Sequence, residues 1–308
     1  MAAALEFQNI SKHFGEHAAL DSLSLTLERG EILGFLGPNG AGKTTAIHLA
    51  LGFLRPTSGA GSILGNPFGD TATRARIGFL PDAPAFFAGS AADAVELVGR
   101  LNNTSNPRLR ERSRALLSQL NLTSAGRDAR RFSRGMQQRL GIAQALVNDP
   151  EVLILDEPTS ALDPPGVLEV RELLRAARHE GKSIFFSSHQ LSEVEQICDR
   201  IAFLDHGRLL RQGTLVSFLE DNGQTEIVLQ GVSADSEVLR PYQPYLIHSS
   251  GDELRFVVPT DFQREIIERA WATGGTLKSV ARQRRTLEEL FTRWTEDASE
   301  NALGKPEA

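Results

Sequence analysis

The sequence predicts an α/β fold in which a mostly parallel sheet is flanked by helices. Three short and nearly continuous apolar runs, at residues 31–36, 152–155 and 183–186, are typical of strands that are covered on both faces. Strand and helix patterns alternate along roughly the first 215 residues. A glycine-rich turn follows the first run directly and leads into a helical segment. Together these observations favour a core sheet buried between helices.

The size and charge of the chain exclude several classes of protein. With 308 residues and a mass of 33.6 kDa, the chain is long enough for about two domains. Its 41% apolar and 23% charged residues argue against a disordered or low-complexity chain. The net charge of −6 provides no global attraction to nucleic acid or to an anionic membrane, so any bound phosphate has to be held locally.

Membrane-spanning and disulfide-bonded architectures are also disfavoured. The apolar runs fall far short of the roughly 20 residues that a membrane-spanning helix needs. The first residues lack a basic start and a long hydrophobic segment, so we expect no secretory signal. The single cysteine, Cys198, allows no internal disulfide, which fits a reducing compartment, and we expect it to be a buried apolar residue.

The elements around the buried strands follow in chain order. Residues 7–10 and 23–27 alternate apolar and polar side chains, as half-buried antiparallel strands do, and predict an edge sheet. Residues 92–100 and 109–122 are rich in helix formers and predict a helical insertion over about residues 82–131. Alternate arginines in the insertion suggest either a nucleic-acid contact or a solvated helix face, and their spread around a helix favours the solvated face: Arg108, Arg110, Arg112 and Arg114.

The chain changes character after about residue 215. Three short strand patterns precede one helical pattern, at residues 226–229, 245–248, 254–258 and 262–272. Short strands with a helix predict a small α+β accessory domain, over residues 216–296. The last residues, 297–308, are small and polar, and we expect a disordered tail there.

The glycine-rich turn matches the phosphate-binding loop pattern, and it reads Gly37-Pro38-Asn39-Gly40-Ala41-Gly42-Lys43-Thr44. Glycines let backbone amides curl around phosphates and leave the N-terminus of the next helix, which begins near Thr45, pointing at the charge. We expect the loop and Thr45 to bind the phosphates of a nucleotide. Lys43 would reach the β- and γ-phosphates, and the Thr44 hydroxyl would ligate Mg²⁺. The alternative is an ordinary glycine turn.

Paired carboxylates end the second apolar run. A buried strand at residues 152–155 would deliver Asp156 and Glu157 to the carboxyl edge of the sheet, where ligands bind in such folds. We expect Asp156 to hold Mg²⁺, directly or through water. Glu157 is then positioned to polarise the attacking water as general base. Many strands end in solvated acids, but the phosphate-binding loop upstream supports the catalytic interpretation.

A third motif distinguishes the chain from other phosphate-loop enzymes. Just before the acidic strand, the chain reads Phe132-Ser133-Arg134-Gly135-Met136-Gln137-Gln138-Arg139-Leu140. Ser133 and the backbone near Gly135 would cap a helix and form a second anion site, the alternative being a capped helix without a ligand. With its neighbours, this segment resembles the signature of the ATP-binding subunits of ABC transporters, in a variant form with a basic residue, Gly and Met.

This resemblance covers about residues 5–215 and implies a phosphate-loop ATPase core. In the family, the signature faces the γ-phosphate bound by the opposite subunit, so Ser133 and Gly135 are expected to contact ATP held by a second copy of the chain. Asp163 resembles the residue that ends the loop crossing this dimer interface. His189, after the third buried strand, resembles the switch histidine at the γ-phosphate, and with Lys43 and Glu157 it completes the implied catalytic residues.

Two further positions carry over from the family with changes. Phe14 matches the aromatic residue that stacks on adenine, where Tyr is more usual, and Phe keeps the π face but loses the hydroxyl. At Asp82 the family generally has Gln. A carboxylate still accepts hydrogen bonds from Mg²⁺-bound water but cannot donate as an amide does, so the expected metal contact of Asp82 is a hypothesis.

The resemblance implies an ATPase with ATP and Mg²⁺ as cofactors, which closes as a homodimer around two ATP and drives export through a separate transmembrane permease. It implies a cytoplasmic location, peripheral at the inner face of the cell membrane, and no nucleic-acid partner. The assignment to exporters rests on analogy with chains that share the variant signature and the C-terminal extension. The alternatives are an ABC ATPase driving a non-transport membrane complex, a soluble ABC protein acting on ribosomes or DNA, and a small-molecule kinase.

Two shorter segments gain meaning from the resemblance. The family docks its membrane subunit on the helical insertion, where Pro84, Phe86 and Phe87 offer an apolar seat. The alternative, which we favour slightly, is that both phenylalanines belong to the core. Residues 286–291 resemble the short helix that closes many exporter subunits, and the arginines at positions 282, 284 and 285 are interpreted as a solvated basic edge.

Overall fold

A computed structural model describes residues 3–101, 106–123, 128–219, 221–284 and 286–303. The chain divides into two compact units. The first comprises the chain up to Leu215 together with the chain from Trp294 onward, and the second is Val216–Arg293. Among the described residues, no helix has both the length and the apolar composition that crossing a bilayer requires.

The first unit alternates strands and helices. Its strands are β1 (Leu5–Phe14), β2 (His17–Leu27), β3 (Ile32–Leu36), β4 (Ser58–Ile63), β5 (Asn66–Pro67), β6 (Ile77–Leu80), β7 (Val152–Asp156), β8 (Ser183–Ser188), β9 (Arg200–Asp205) and β10 (Arg208–Thr214). Its helices are α1 (Lys43–Ala50), α2 (Thr71–Arg74), α3 (Ala91–Leu101), α4 (Asn106–Gln119), α5 (Arg134–Leu146), α6 (Pro164–His179) and α7 (Leu191–Ile197), and α8 (Leu215–Leu219) starts at its boundary.

Six strands form the predicted mostly parallel sheet, in the order β10-β9-β3-β8-β7-β6. Every pairing is parallel except that of β9 with β10, which is antiparallel. Every residue of β3, β7 and β8 is buried, because elements cover both faces of these central strands. The predicted fold class is therefore confirmed, and the sequence patterns identified three of the four inner strands, β3, β7 and β8.

A second, antiparallel sheet has the order β2-β1-β4-β5 and corresponds to the predicted edge sheet. Side chains from both sheets share one core, in which the Phe185 ring lies 6.3 Å from that of Phe7 and 5.1 Å from that of Phe35. Cys198 is a buried free cysteine, as expected. This core holds β3 and the loop that follows it in place.

The helical insertion consists mainly of α3 and α4, which pack on each other and on α5. Arg108, Arg110 and Arg114 are exposed, as a solvated face requires. Arg112 instead donates hydrogen bonds to the carbonyl of Leu146 at the end of α5. The core interpretation is wrong for Phe87, whose side chain is 79% exposed, because the loop before α3 turns it outward.

The second unit contains the sheet β12-β13-β11-β14, formed by β11 (Asp221–Gln230), β12 (Leu246–Ser250), β13 (Glu253–Pro259) and β14 (Thr276–Arg284). Helix α9 (Gln263–Ala272) contributes Ile266 and Ala270 to a separate core with the sheet. The chain closes with α10 (Leu287–Leu303), which is longer than the helix expected at residues 286–291. It includes residues 297–303 of the expected tail, and residues 304–308 lie outside the described residues.

Candidate active site

The phosphate-binding loop connects the buried strand β3 to α1, as the sequence pattern requires. Gly42 has a φ of 107°, and a Cβ there would lie 2.5 Å from the carbonyl oxygen of Ala19. A Cβ on Gly37 would lie 2.2 Å from the carbonyl oxygen of Leu204. These contacts are with backbone atoms that cannot move aside, so only glycine fits at either position. The loop therefore wraps against its neighbours and leaves its amides and the start of α1 for an anion.

Lys43 begins α1 and is buried. Its Nζ donates hydrogen bonds to the carbonyls of Gly37, at 2.6 Å, and Pro38, at 3.2 Å, and lies 3.8 Å from Oε1 of Glu157. Burial lowers the pKa of the Lys43 ammonium, and the carboxylates of Glu157 and Asp156 oppose that shift. A positive charge is thus held inside the loop, close to two acids that favour its charged form.

Asp156 ends β7 and accepts two hydroxyl hydrogen bonds. The Thr44 Oγ1 donates to its Oδ2 at 3.0 Å, and the Ser187 Oγ donates to its Oδ1 at 2.5 Å. Mg²⁺ at phosphate sites takes one or two protein ligands and completes its shell with water and phosphate oxygens. No group of three or more His, Cys, Asp or Glu able to hold a metal alone occurs within the described part of the chain. Thr44 and Asp156 fit a Mg²⁺ ion that phosphates share.

Glu157 follows directly in a left-handed backbone conformation, with a φ of 52°. Its N–H donates to the carbonyl of Ser187 at 3.2 Å and to the Ser187 Oγ at 3.1 Å. These bonds turn the chain away from the strand and leave the carboxylate beside the loop. Its Oε2 lies 2.8 Å from Nδ1 of His189, and its Oε1 faces Lys43. A carboxylate between an imidazole and an ammonium suits proton transfer with a bound water.

The phosphate-binding loop, the carboxylates of Asp156 and Glu157, and Phe14, the predicted contact to adenine, line one cavity of about 360 Å³. Its lining residues are Phe14, His17, Ala19, Pro38, Asn39, Gly40, Ala41, Gly42, Lys43, Thr44, Thr45, Asp82, Asp156 and Glu157. Phe14 is 49% exposed, and the Nζ of Lys12 lies 5.0 Å from the centre of its ring. The cavity therefore combines a phosphate cradle, carboxylates and an open aromatic face, which suits a nucleoside triphosphate.

Known proteins share both the sequence and this arrangement. Residues 20–160 match the family model described as ABC transporter. An uncharacterized ABC transporter ATP-binding protein of Nostoc sp. is 39% identical over 277 residues, which cover 89% of this chain and 82% of the relative. The chain belongs to the ABC transporter ATP-binding proteins.

Two further comparisons show which subunit of an ABC transporter this chain resembles. A daunorubicin resistance ATP-binding protein of Streptomyces coeruleorubidus is 33% identical, and the match covers 96% of each chain. A solved dimeric ATP-binding cassette, in a post-hydrolysis state bound to ADP and Pi, superposes with a TM-score of 0.62 at 27% identity, covering 68% of this chain and 98% of the other. The chain is thus the nucleotide-binding subunit of an ABC transporter, in a family of ATP-hydrolysing enzymes.

Three predicted nucleotide contacts of this ABC subunit, Ser133, Gly135 and Asp163, lie apart from the described residues that line the cavity. Ser133 caps α5, where its Oγ accepts a hydrogen bond from the Met136 N–H at 3.3 Å. Asp163 caps α6 by accepting from the Gly166 N–H, and its carboxylate also binds Arg139. Within one chain, these three residues therefore do not contribute to the wall of the cavity.

The structure also adds residues to the site that the sequence analysis did not assign. His17 and Ala19, at the start of β2, line the cavity beside Phe14. Ser187 bridges Asp156 and Glu157 from the neighbouring strand β8. Gln138 donates a hydrogen bond to the Glu157 carbonyl from α5. The polar Ser187 at the end of an apolar run was a usable signal for one of these contacts, whereas the other contacts depend on tertiary packing.

Proposed function

We propose that this chain is the ATP-hydrolysing subunit of an export complex, and that it powers a separate permease by closing as a homodimer on ATP. The observation that carries the proposal is the buried cluster of Lys43, Asp156 and Glu157 against the phosphate-binding loop. A relative named for daunorubicin resistance supports an export role. Working through a permease would place the chain at the inner face of the cell membrane.

The proposed chemistry is phosphoryl transfer by positioning and electrostatics. The loop amides and Lys43 bind the β- and γ-phosphates, and the Phe14 ring stacks on the base. Mg²⁺, held by Thr44 and Asp156, would neutralise charge that develops on the phosphates. Glu157 accepts a proton from the attacking water, and His189 orients the Glu157 carboxylate through their 2.8 Å contact.

The second subunit completes each site in this proposal. Ser133 and the amides near Gly135 stand at the N-terminus of α5, which favours negative charge. Because they lie apart from the cavity of their own chain, a partner copy would bring them to the γ-phosphate. Asp163 would then lie at the interface between the copies.

The test of the catalytic part is Glu157→Gln in the full chain. Loss of the base is expected to lower kcat by about 10²- to 10⁴-fold while ATP binding persists. Glu172→Gln, an exposed change on α6, is the control and should retain wild-type turnover. Steady-state hydrolysis by Glu157→Gln at the wild-type rate would contradict the assignment of the base.

The test of the transport part is co-purification of the chain with its membrane partner. We expect a polytopic protein to co-purify, and ATPase activity in vesicles to rise with the transported compound. The exposed Phe87 is proposed to contribute to the docking seat, so Phe87→Ser should weaken capture while leaving the basal ATPase rate unchanged. Capture of a partner without transport would instead favour a non-transport membrane complex.

A further inference from the structure

A buried glutamine connects the helix of the signature segment to the proposed base. Gln138 lies on α5, five residues after the helix cap Ser133, and its side chain is only 3% exposed. Its Nε2 donates a 2.9 Å hydrogen bond to the backbone carbonyl of Glu157. A buried amide with such a partner is costly to disturb, because removing one side leaves a polar group unsatisfied.

The receiving carbonyl belongs to a peptide whose conformation has to be held. Glu157 adopts a φ of 52°, which is unfavourable for a residue with a Cβ. Its N–H is anchored by Ser187 on β8, and its carbonyl accepts from Gln138 and from the N–H of Ser160. The anchors on both sides of the Cα set the direction in which the Glu157 carboxylate leaves the backbone.

We propose that Gln138 is a positioning residue for ATP hydrolysis, which fixes Glu157 from the signature helix α5; the inference rests on the proposed function. Gln138 does not reach the cavity and acts only through the Glu157 backbone. The same helix carries Ser133 and Gly135 at its start. One rigid element therefore links the residues proposed to contact the partner's ATP to the base at the chain's own ATP.

The same helix provides a matched control for this bond. Gln144, also on α5, donates a 2.9 Å side-chain hydrogen bond to a backbone carbonyl, that of Ala94 on α3. The two glutamines thus share their helix, donor, acceptor type and bond length. Only the bond of Gln138 ends on the residue proposed as the base, so substitutions at Gln144 report the purely structural cost of losing such a bond.

The experiment compares Gln138→Met, Gln138→Leu and Gln144→Met in the full chain, with Mg²⁺ and ATP. Methionine keeps the length of the side chain without a donor, and leucine is a second apolar side chain that cannot donate to the Glu157 carbonyl. We expect both changes at Gln138 to lower kcat by about 10- to 100-fold, with the KM and the directly measured Kd for ATP within about twofold. Gln144→Met should keep kcat within about twofold, with a loss of Tm no larger than that of Gln138→Met, because the bond of Gln144 is only partly buried.

Either of two results would overturn the inference. One is Gln138→Met or Gln138→Leu with wild-type kcat, and the other is a kcat loss at Gln144→Met as large as at Gln138→Met. Glu157→Gln, measured alongside, separates this inference from the proposed function. If Glu157→Gln abolishes turnover and Gln138→Met keeps the wild-type kcat, only the role of Gln138 is wrong. Full turnover by Glu157→Gln would instead show that Glu157 is not the catalytic base.

Discussion

At the residue scale, opposite charges inside the phosphate-binding loop determine what the site can bind. Lys43 is buried with Asp156 and Glu157 close by, so the ammonium stays paired within the chain. The triphosphate brings several negative charges to the same point and would compete with these carboxylates for Lys43. Loop amides and the N-terminus of α1 add positive potential without adding net charge. This explains how a chain with a net charge of −6 is suited to an anionic ligand.

Asp82 provides the first prediction at this scale. It lines the cavity, and its charge acts on Lys43. If its carboxylate contacts Mg²⁺-bound water, Asp82→Ala should raise the Mg²⁺ concentration needed for half-maximal ATPase activity by about 10- to 100-fold. Asp82→Gln, which restores the amide usual in the family, is the control. Its Mg²⁺ requirement should lie between that of Asp82→Ala and that of the wild type. An unchanged Mg²⁺ requirement in Asp82→Ala would refute the metal contact.

Phe14 provides the second prediction. Phe14 is half exposed and lines the cavity, and stacking of a nucleotide base on an aromatic ring contributes about 1–3 kcal/mol. Phe14→Ala should therefore weaken ATP binding by at least about fivefold, measured as a Kd by equilibrium titration. Phe14→Tyr retains the π face and should bind ATP as the wild type does. Wild-type affinity for ATP in Phe14→Ala would mean that adenine does not stack on this ring.

At the scale of elements, glycine allows close approach where the sheet meets α5. Gly78 of β6 faces this helix, and a Cβ on Gly78 would lie 2.1 Å from the carbonyl oxygen of Ala145. This backbone oxygen cannot move aside as the end of a flexible side chain can. The spacing between β6 and α5 matters for function, because α5 begins with the signature and carries Gln138.

Gly78→Ala is accordingly predicted to destabilise the protein. Strand propensity alone would favour alanine slightly. Overpacking against a backbone atom costs about 1–3 kcal/mol, which outweighs that gain and lowers the free energy of unfolding. Each kcal/mol should lower Tm by about 2–4 °C in a unit of this size, as thermal unfolding monitored by circular dichroism would show. An unchanged or raised Tm would mean that α5 shifts away from β6 at no cost.

At the scale of the whole molecule, the two halves of the proposed site lie in different places on one chain. The cavity with Lys43 holds the phosphates, and Ser133 stands apart from it at the start of α5. A second copy related by a two-fold axis would bring these halves together twice, which yields two equal sites at one interface. The proposed mechanism therefore couples dimer formation to ATP binding.

The corresponding prediction concerns oligomeric state. Glu157→Gln with Mg²⁺ and ATP should elute as a dimer in size-exclusion chromatography, and as a monomer without ATP. Adding Ser133→Arg to this variant should prevent dimer formation, while each monomer still binds ATP in its own cavity. Ser118→Arg, the same change at an exposed position on α4, is the control and should leave the dimer intact. A dimer that persists with Ser133→Arg would contradict the shared site.

The sequence alone was sufficient for the parts of this protein that depend on local pattern. Continuous apolar runs predicted β3, β7 and β8, because strands buried on both faces favour apolar side chains along most of their length. The loop glycines and the residues Asp156 and Glu157 were predictable because phosphate and metal chemistry restrict which residue types can serve. Strands β10 and β14 were not predicted, since both lie at sheet edges, where the pattern is weaker. Strand β9 was not predicted either, although it is an inner strand with a buried apolar centre.

Only the tertiary structure decided which distant residues meet. The order of strands places β8 beside β7, and this brings Ser187 to Asp156 and to the backbone of Glu157. The packing of α5 brings Gln138 to the Glu157 carbonyl, and the turn before α3 exposes Phe87. Periodicity reports how deeply a segment is buried but not what it is buried against. The residue types that carry the chemistry of this site were therefore predictable from the sequence. Which residues hold the backbone of Glu157, the proposed catalytic base, was decided by the fold.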